Sequence, residues 1–181
     1  MNLNPILVAL TALTLAASPP AGPPATPVQT APAPAAPAAA VSGPATVAVK
    51  GPGGESAVVT AADLRDMHRQ SVTVAWGGGH TYAGALVSDV LAEIGAPSEV
   101  RLHGPPLDQV LIVKGRDGFI AVLAIAETAM SLKGQPVILA DEEDGKPLND
   151  KEGPYRLVIG GEAKPPRSVW GVVEIELRPI I

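Results

Sequence analysis

The chain has 181 residues, a net charge of −5, 20 prolines, 19 glycines and no cysteine. The acidic balance argues against nucleic acid and anionic membrane surfaces as partners. The lack of cysteine excludes disulfides, thiolate chemistry and a lipoprotein anchor.

The first charged side chain is Lys50, so the opening 49 residues carry none, and ten of the prolines fall among them. Pro5 to Ala17 is apolar, through Ile6, Leu7, Val8, Leu10, Leu13 and Leu15. It is shorter than the roughly 20 residues a membrane-spanning helix needs. Small residues, Ala16, Ala17 and Ser18, follow it. Residues 1–17 are expected to be a signal peptide. An uncleaved N-terminal anchor is the rival reading, because no Lys or Arg precedes the apolar run. The expected location is periplasmic or secreted. Residues 18–45 are Ala/Pro-rich and predict a disordered, semi-stiff linker. Residues 46–181 form the folded domain, long enough for one self-sufficient core.

Within that domain, Thr46 to Lys50 predicts a strand. Thr60 predicts an N-cap, with Asp63 in the first turn of a short helix that ends before Gln70. Ser71 to Trp76 alternates and predicts a strand, broken by Gly77-Gly78-Gly79. Leu86, Val87, Val90, Leu91 and Ile94 recur at helical spacing, with Gly95 as the stop. Val110 to Val113 and Phe119 to Ile125 predict strands joined across Gly115-Arg116-Asp117-Gly118. Val137 to Ala140 and Tyr155 to Ile159 are near-continuous apolar runs, which predicts strands covered on both faces. Val173, Ile175 and Leu177 alternate with Glu174, Glu176 and Arg178, which predicts a last strand with one wet face. Many strands, two or three short helices and no regular βαβ alternation indicate an α+β domain with a mixed, mostly-β core.

Four patches in order resemble segments of a single family. Tyr82-Ala83-Gly84-Ala85-Leu86-Val87-Ser88-Asp89-Val90-Leu91 resembles a strand-to-helix entry of the form aromatic-x-Gly-Val-Pro-Leu-x-Asp-Leu-Leu, with Ala85 and Leu86 in place of Val-Pro. Arg116-Asp117-Gly118-Phe119, with Glu127 beyond, resembles an Asp-Gly-Tyr segment and its downstream Glu. Asp144-Gly145-Lys146-Pro147-Leu148 resembles an Asp-Gly-Lys-Pro-Leu hairpin. Gly153-Pro154-Tyr155-Arg156-Leu157-Val158-Ile159, followed by Arg167-Ser168-Val169-Trp170 and Val173-Glu174-Ile175-Glu176, resembles the closing run Gly-Pro-Leu-Arg-Leu-Val-Val-Pro-Gly, Arg-Trp-Val and Ile-Glu-Val. The family is the oxidoreductase molybdopterin-binding superfamily, with its sulfite-oxidase-like fold. Some of its small exported members are similar to periplasmic pterin-binding proteins.

The resemblance implies a cleft that holds a pterin or molybdopterin through arginines, backbone groups and polar side chains. The candidate ligand-binding residues are Arg116, Asp117, Glu127, Arg156, Arg167, Trp170 and His80. A tryptophan can stack on a planar ring, a carboxylate can accept from an amino-pyrimidine edge, and an arginine fork matches a phosphate. Each residue also has a structural reading. Trp170 is a good core filler, and Glu127 could cap a following turn. Arg167 could be solvated, and Arg156 inside an apolar strand could form an ion pair with Asp117 or Glu127. His68, His80 and His103 lack metal-ligand spacing, so no metal and no catalytic residue are expected. Asp141-Glu142-Glu143-Asp144 reads as a solvated hairpin turn.

The leading functional reading is an exported, non-catalytic domain that binds a pterin-type ligand and acts through a partner. By the resemblance, that partner is a membrane signalling protein. Two alternatives remain open: a molybdopterin-dependent oxidoreductase of the sulfite-oxidase class, and an interaction domain with no ligand. The enzymes of this family hold molybdenum through a cysteine thiolate, which no residue here can supply.

Overall fold

The structure is a computed structural model, and it describes residues 45–97 and 102–180. The expected leader (1–17) and all of the linker (18–45) but Ala45 lie outside the described residues. No helix among the described residues is long and apolar enough to cross a membrane.

The described residues form two five-stranded sheets and three short α-helices. The strands are β1 (Thr46–Lys50), β2 (Ser56–Thr60), β3 (Arg69–Val74), β4 (His80–Leu86), β5 (Gln109–Gly115), β6 (Ile120–Ala124), β7 (Val137–Glu143), β8 (Lys146–Pro147), β9 (Arg156–Ile159) and β10 (Val172–Pro179). The helices are α1 (Ala61–Asp66), α2 (Val87–Ala92) and α3 (Met130–Lys133). This is the α+β, mostly-β architecture read from the sequence.

The first sheet runs β2-β1-β10-β5-β6. It is antiparallel except for β1 and β10, which pair in parallel with Ala48 opposite Glu174. The second sheet runs β3-β4-β7, with β9 and β8 following one another along the far edge of β7.

The main core lies between the sheets. Val47, Leu111 and Ile175 reach it from the first, Ala85, Leu139 and Leu157 from the second, and Val87, Val90 and Leu91 from α2. A smaller cluster covers the outer face of the second sheet, built from Val72, Val74, Tyr82, Ile138, Ala140 and Val158, with Trp76, Leu86 and Leu148 packed on it. Two clusters, one on each face, explain the unbroken apolar runs of β7 and β9. Alternate residues of each strand serve a different core.

Local chemistry sets the element boundaries. The Thr60 hydroxyl caps the Asp63 amide, and the Asp63 carboxylate accepts from the Thr60 amide, so α1 starts in a closed capping box. Gly95, at φ +71°, ends the turn after α2 in the left-handed region that glycine adopts without strain. At Gly84 a Cβ would stand 2.1 Å from the Leu139 carbonyl oxygen. Only a residue without a side chain lets β4 approach β7 there, at the point where their register shifts.

Some expectations need correction. The predicted strand 71–76 runs from Arg69 to Val74, and Trp76 opens a 3-10 turn. Leu86 closes β4 rather than opening the helix. Val173, expected inside, is 43% exposed, while Val172 is 1% exposed. The ladder of β10 and β5 shifts between Val172 and Glu174, and that bulge turns the two side chains to opposite faces from those that strict alternation predicts.

Candidate functional site

Arg156 is the centre of the site's polar architecture. It shares the outer face of β9 with Val158, and its side chain is 3% exposed. A buried guanidinium must be paired. Its Nη1 donates to Glu152 Oε2 at 2.5 Å and to the Tyr82 hydroxyl at 2.7 Å, and its Nε donates to Ser168 Oγ at 2.9 Å. Three rings surround the cation, with centroids at 4.7 Å (Tyr82), 4.9 Å (Trp76) and 5.5 Å (Trp170) from its guanidinium carbon. The partner is therefore Glu152, not the Asp117 or Glu127 expected from the sequence. Tyr82 comes from β4, Trp76 from the 3-10 turn before it and Trp170 from the segment before β10, so the rings arrive from distant parts of the chain, which no local spacing reveals.

Tyr82 passes the network onward. Its hydroxyl donates to Glu143 Oε1 at 2.7 Å. Burial, first, and then the Glu143 carboxylate push its pKa well above the usual phenol range.

Glu127 and Arg167 form a second unit. Arg167 Nη1 and Nη2 donate to the two Glu127 oxygens at 3.0 and 2.9 Å, and Nε donates to Glu162 at 2.8 Å. Glu127 also accepts from the Ala124 amide at 3.1 Å, so it caps the turn Ile125–Thr128 and pairs with arginine at once. Arg167 holds the Glu127 carboxyl below its ordinary pKa, and burial opposes this only in part. The Arg167 pKa is raised, first by Glu127. Arg116 is likewise engaged, because its guanidinium donates to the carbonyls of Asp150 and Lys151.

An open cleft of about 280 Å³ lies beside these groups, lined by Asp117, Phe119, Pro165, Pro166, Ser168 and Trp170. Of the seven sequence candidates, Asp117 and Trp170 line it. Arg116, Glu127, Arg156 and Arg167 are held by neighbouring protein groups. Asp117 Oδ1 accepts from the Phe119 amide at 2.9 Å. Lys151 Nζ lies 4.8 Å from the Trp170 ring centroid. The sequence reading missed Phe119, Ser168 and the two prolines as cleft residues. Phe119 and Ser168 were already inside the quoted patches, and that adjacency was the available signal. A second cleft, of about 490 Å³ among Gly95, Pro97, His103, Pro105 and Pro106, holds none of the candidates.

His80 stands apart from the cleft. Its Nδ1 is 2.8 Å from Asp144 Oδ2 and 3.3 Å from Glu143 Oε1, and its Nε2 is 3.1 Å from the Gly77 carbonyl. Its pKa is raised, first by Asp144 and then by the Gly77 carbonyl. The sequence showed no acidic neighbour for His80. The pairing of β4 with β7, Tyr82 opposite Glu143, supplies two.

Two five-stranded sheets, the first with a parallel β1–β10 pair at its middle and the second with an arginine-centred aromatic cluster on its outer face, define an α+β domain. Its fold is shared with an oxidoreductase, the sulfane dehydrogenase SoxCD from Paracoccus pantotrophus. The structural match has a TM-score of 0.54 at 20% sequence identity and covers 74% of this chain and 38% of that one. This chain thus corresponds to well under half of the SoxCD chain, and at this identity the likeness is one of fold. No family model and no curated protein matches the chain.

Proposed function

We propose that this domain binds a planar nitrogen heterocycle of the pterin class in the cleft beside Trp170, without redox catalysis of its own. The observation that carries the reading is the pairing, on one opening, of the Trp170 ring with the Asp117 carboxylate. Asp117 uses Oδ1 locally and keeps Oδ2 for an incoming N–H. A pterin needs both a stacking face and an acceptor for its amino-pyrimidine edge. The cleft residues therefore fit the ring.

They do not fit a thiolate-held molybdenum. The chain has no cysteine. The arginines around the cleft are also committed to Glu152, Glu127, Glu162 and backbone carbonyls. Arg167, whose Nε, Nη1 and Nη2 all donate to carboxylates, could grip a phosphate only by breaking those pairs. The apolar run Pro5 to Ala17 and the small residues at its end support export, and export supports a role in which occupancy of the cleft is passed to a partner such as a membrane signalling protein.

The test titrates the full chain with reduced and oxidised pterins, following tryptophan fluorescence and thermal stability. Saturable quenching with a concentration-dependent rise in Tm is expected. Trp170→Ala and Asp117→Asn are each expected to abolish the ligand-dependent rise in Tm; Asp117→Asn leaves the unliganded Tm near the starting value, whereas Trp170→Ala also lowers it, because the ring flanks the Arg156 guanidinium. Stoichiometric molybdenum by elemental analysis, with sulfite or sulfoxide turnover, would establish the oxidoreductase reading instead. No response to any pterin would leave an interaction domain.

A further inference from the structure

His80, Glu143 and Asp144 offer one nitrogen and two carboxylate oxygens that all lie within 4.8 Å of one another. None of the three belongs to the cleft lining. The His80 ring orientation carries the argument. A carbonyl oxygen only accepts, so the 3.1 Å contact with Gly77 O places a proton on Nε2. In the neutral ring the Nδ1 lone pair then points at Asp144 Oδ2, 2.8 Å away, and at Glu143 Oε1, 3.3 Å away. Three electron-rich atoms then converge, and the conflict is resolved either by a second proton on Nδ1 donating to Asp144 or by a metal cation in its place.

We propose that His80 Nδ1, Glu143 Oε1 and Asp144 Oδ2 form a binding site for a divalent cation of the zinc class, with solvent completing the coordination. Each ligand has an outer partner that fixes its direction, as ligands of metal sites do. Gly77 O holds the imidazole through Nε2. The Tyr82 hydroxyl donates to Glu143 Oε1 at 2.7 Å, and the Thr81 amide donates to Asp144 Oδ1 at 2.9 Å. Asp144 and Gly145 form the two-residue turn between β7 and β8, which fixes the position of the Asp144 carboxylate. Asp144 is the one non-glycine at positive φ among the described residues, at +50°, and its amide donates to the Thr81 carbonyl at 2.8 Å. The donor set favours zinc over calcium, since an imidazole nitrogen suits borderline metals and calcium takes six to eight oxygens. Tetrahedral ligands about 2.1 Å from zinc stand about 3.4 Å apart, so loading widens the His80–Asp144 contact by roughly half an ångström. Asp144 is 53% exposed and His80 34%, which gives the ion an entry path and room for water.

Untagged, metal-stripped full chain is titrated with zinc chloride by calorimetry, and with cobalt(II) as a spectroscopic stand-in. One equivalent of zinc, a tetrahedral cobalt absorption band and no saturable calcium uptake are expected. His80→Gln removes the binding, and Asp144→Asn, which keeps a residue tolerant of positive φ, weakens it by at least about ten-fold. His68→Gln, at an exposed His–Asp pair elsewhere, leaves it unchanged. Circular dichroism confirms that the variants are folded, and if His80→Gln is not, Asp144→Asn decides. Absence of saturable zinc uptake, uptake retained in both site variants, or equal loss in His68→Gln would overturn the proposal.

Discussion

Arg156 and Tyr82 meet on the outer face of the second sheet in two ways at once: Nη1 donates to the hydroxyl at 2.7 Å, and the guanidinium carbon lies 4.7 Å from the ring centroid. The arginine is thus both the hydrogen-bond centre and the cation of an aromatic cluster. This gives it a structural role within the second sheet.

Arg156→Met should therefore cost stability. It leaves the Glu152 carboxylate, the Tyr82 hydroxyl and Ser168 Oγ without their shared donor. Breaking a buried pair by removing one partner costs about 3–5 kcal/mol, and urea unfolding should show a loss of that order. Arg156→Lys should recover only part of it, because an ammonium cannot reach Glu152, Tyr82 and Ser168 with one planar fork. Full stability in either variant would show that the network contributes little.

Stability should depend on pH through Glu127. The folded carboxyl titrates below its ordinary value of 4.5, first because of Arg167. The pair contributes fully above that value and is lost as pH falls through the lowered folded pKa. Wild type and Glu127→Gln should therefore differ in urea midpoint at pH 6 and converge towards pH 3. A constant gap across that range would mean that the charge of Glu127 is not what matters.

The bulge in β10 sets a contrast between neighbours. Val172→Ala deletes a buried side chain and should cost about 2 kcal/mol, whereas Val173→Ala, on the solvent face, should stay within about 0.5 kcal/mol. Chemical denaturation of the two variants side by side checks the register directly. The opposite order would place the bulge elsewhere.

Gly84→Ala should be the most damaging small change in the second sheet. Its Cβ would stand 2.5 Å from the Ala140 Cα as well as 2.1 Å from the Leu139 oxygen. Backbone cannot rotate away as a side chain can, so a loss above about 3 kcal/mol is expected. Normal expression and Tm would show that β4 and β7 separate easily.

Much of the fold was legible because its signals are local. The Thr60–Asp63 box, the α2 stripe from Val87 to Leu91 and the β5–β6 turn each rest on residues close in sequence. The unbroken runs of β7 and β9 announced burial on both faces. Strand β4 was harder, because Ala83, Gly84 and Ala85 have little side chain with which to show alternation. The site was legible only as a list of residues. Asp117 and Trp170 line the cleft. By contrast, the partners of Arg156 and His80 depend on which strands pair. Val173 was misread because a bulge shifts register with no sequence mark in a run of similar residues.

The parallel pairing of β1 and β10 has a consequence for how the protein is made. The central strand of the first sheet is the last of its strands to be synthesised, while β1, β2, β5 and β6 are in place long before it. Until residues 172–179 leave the ribosome, neither β1 nor β5 has the partner strand that joins them in the finished sheet, so a hairpin formed early on either side would present an open edge. The first sheet therefore cannot be completed until its central strand has been made.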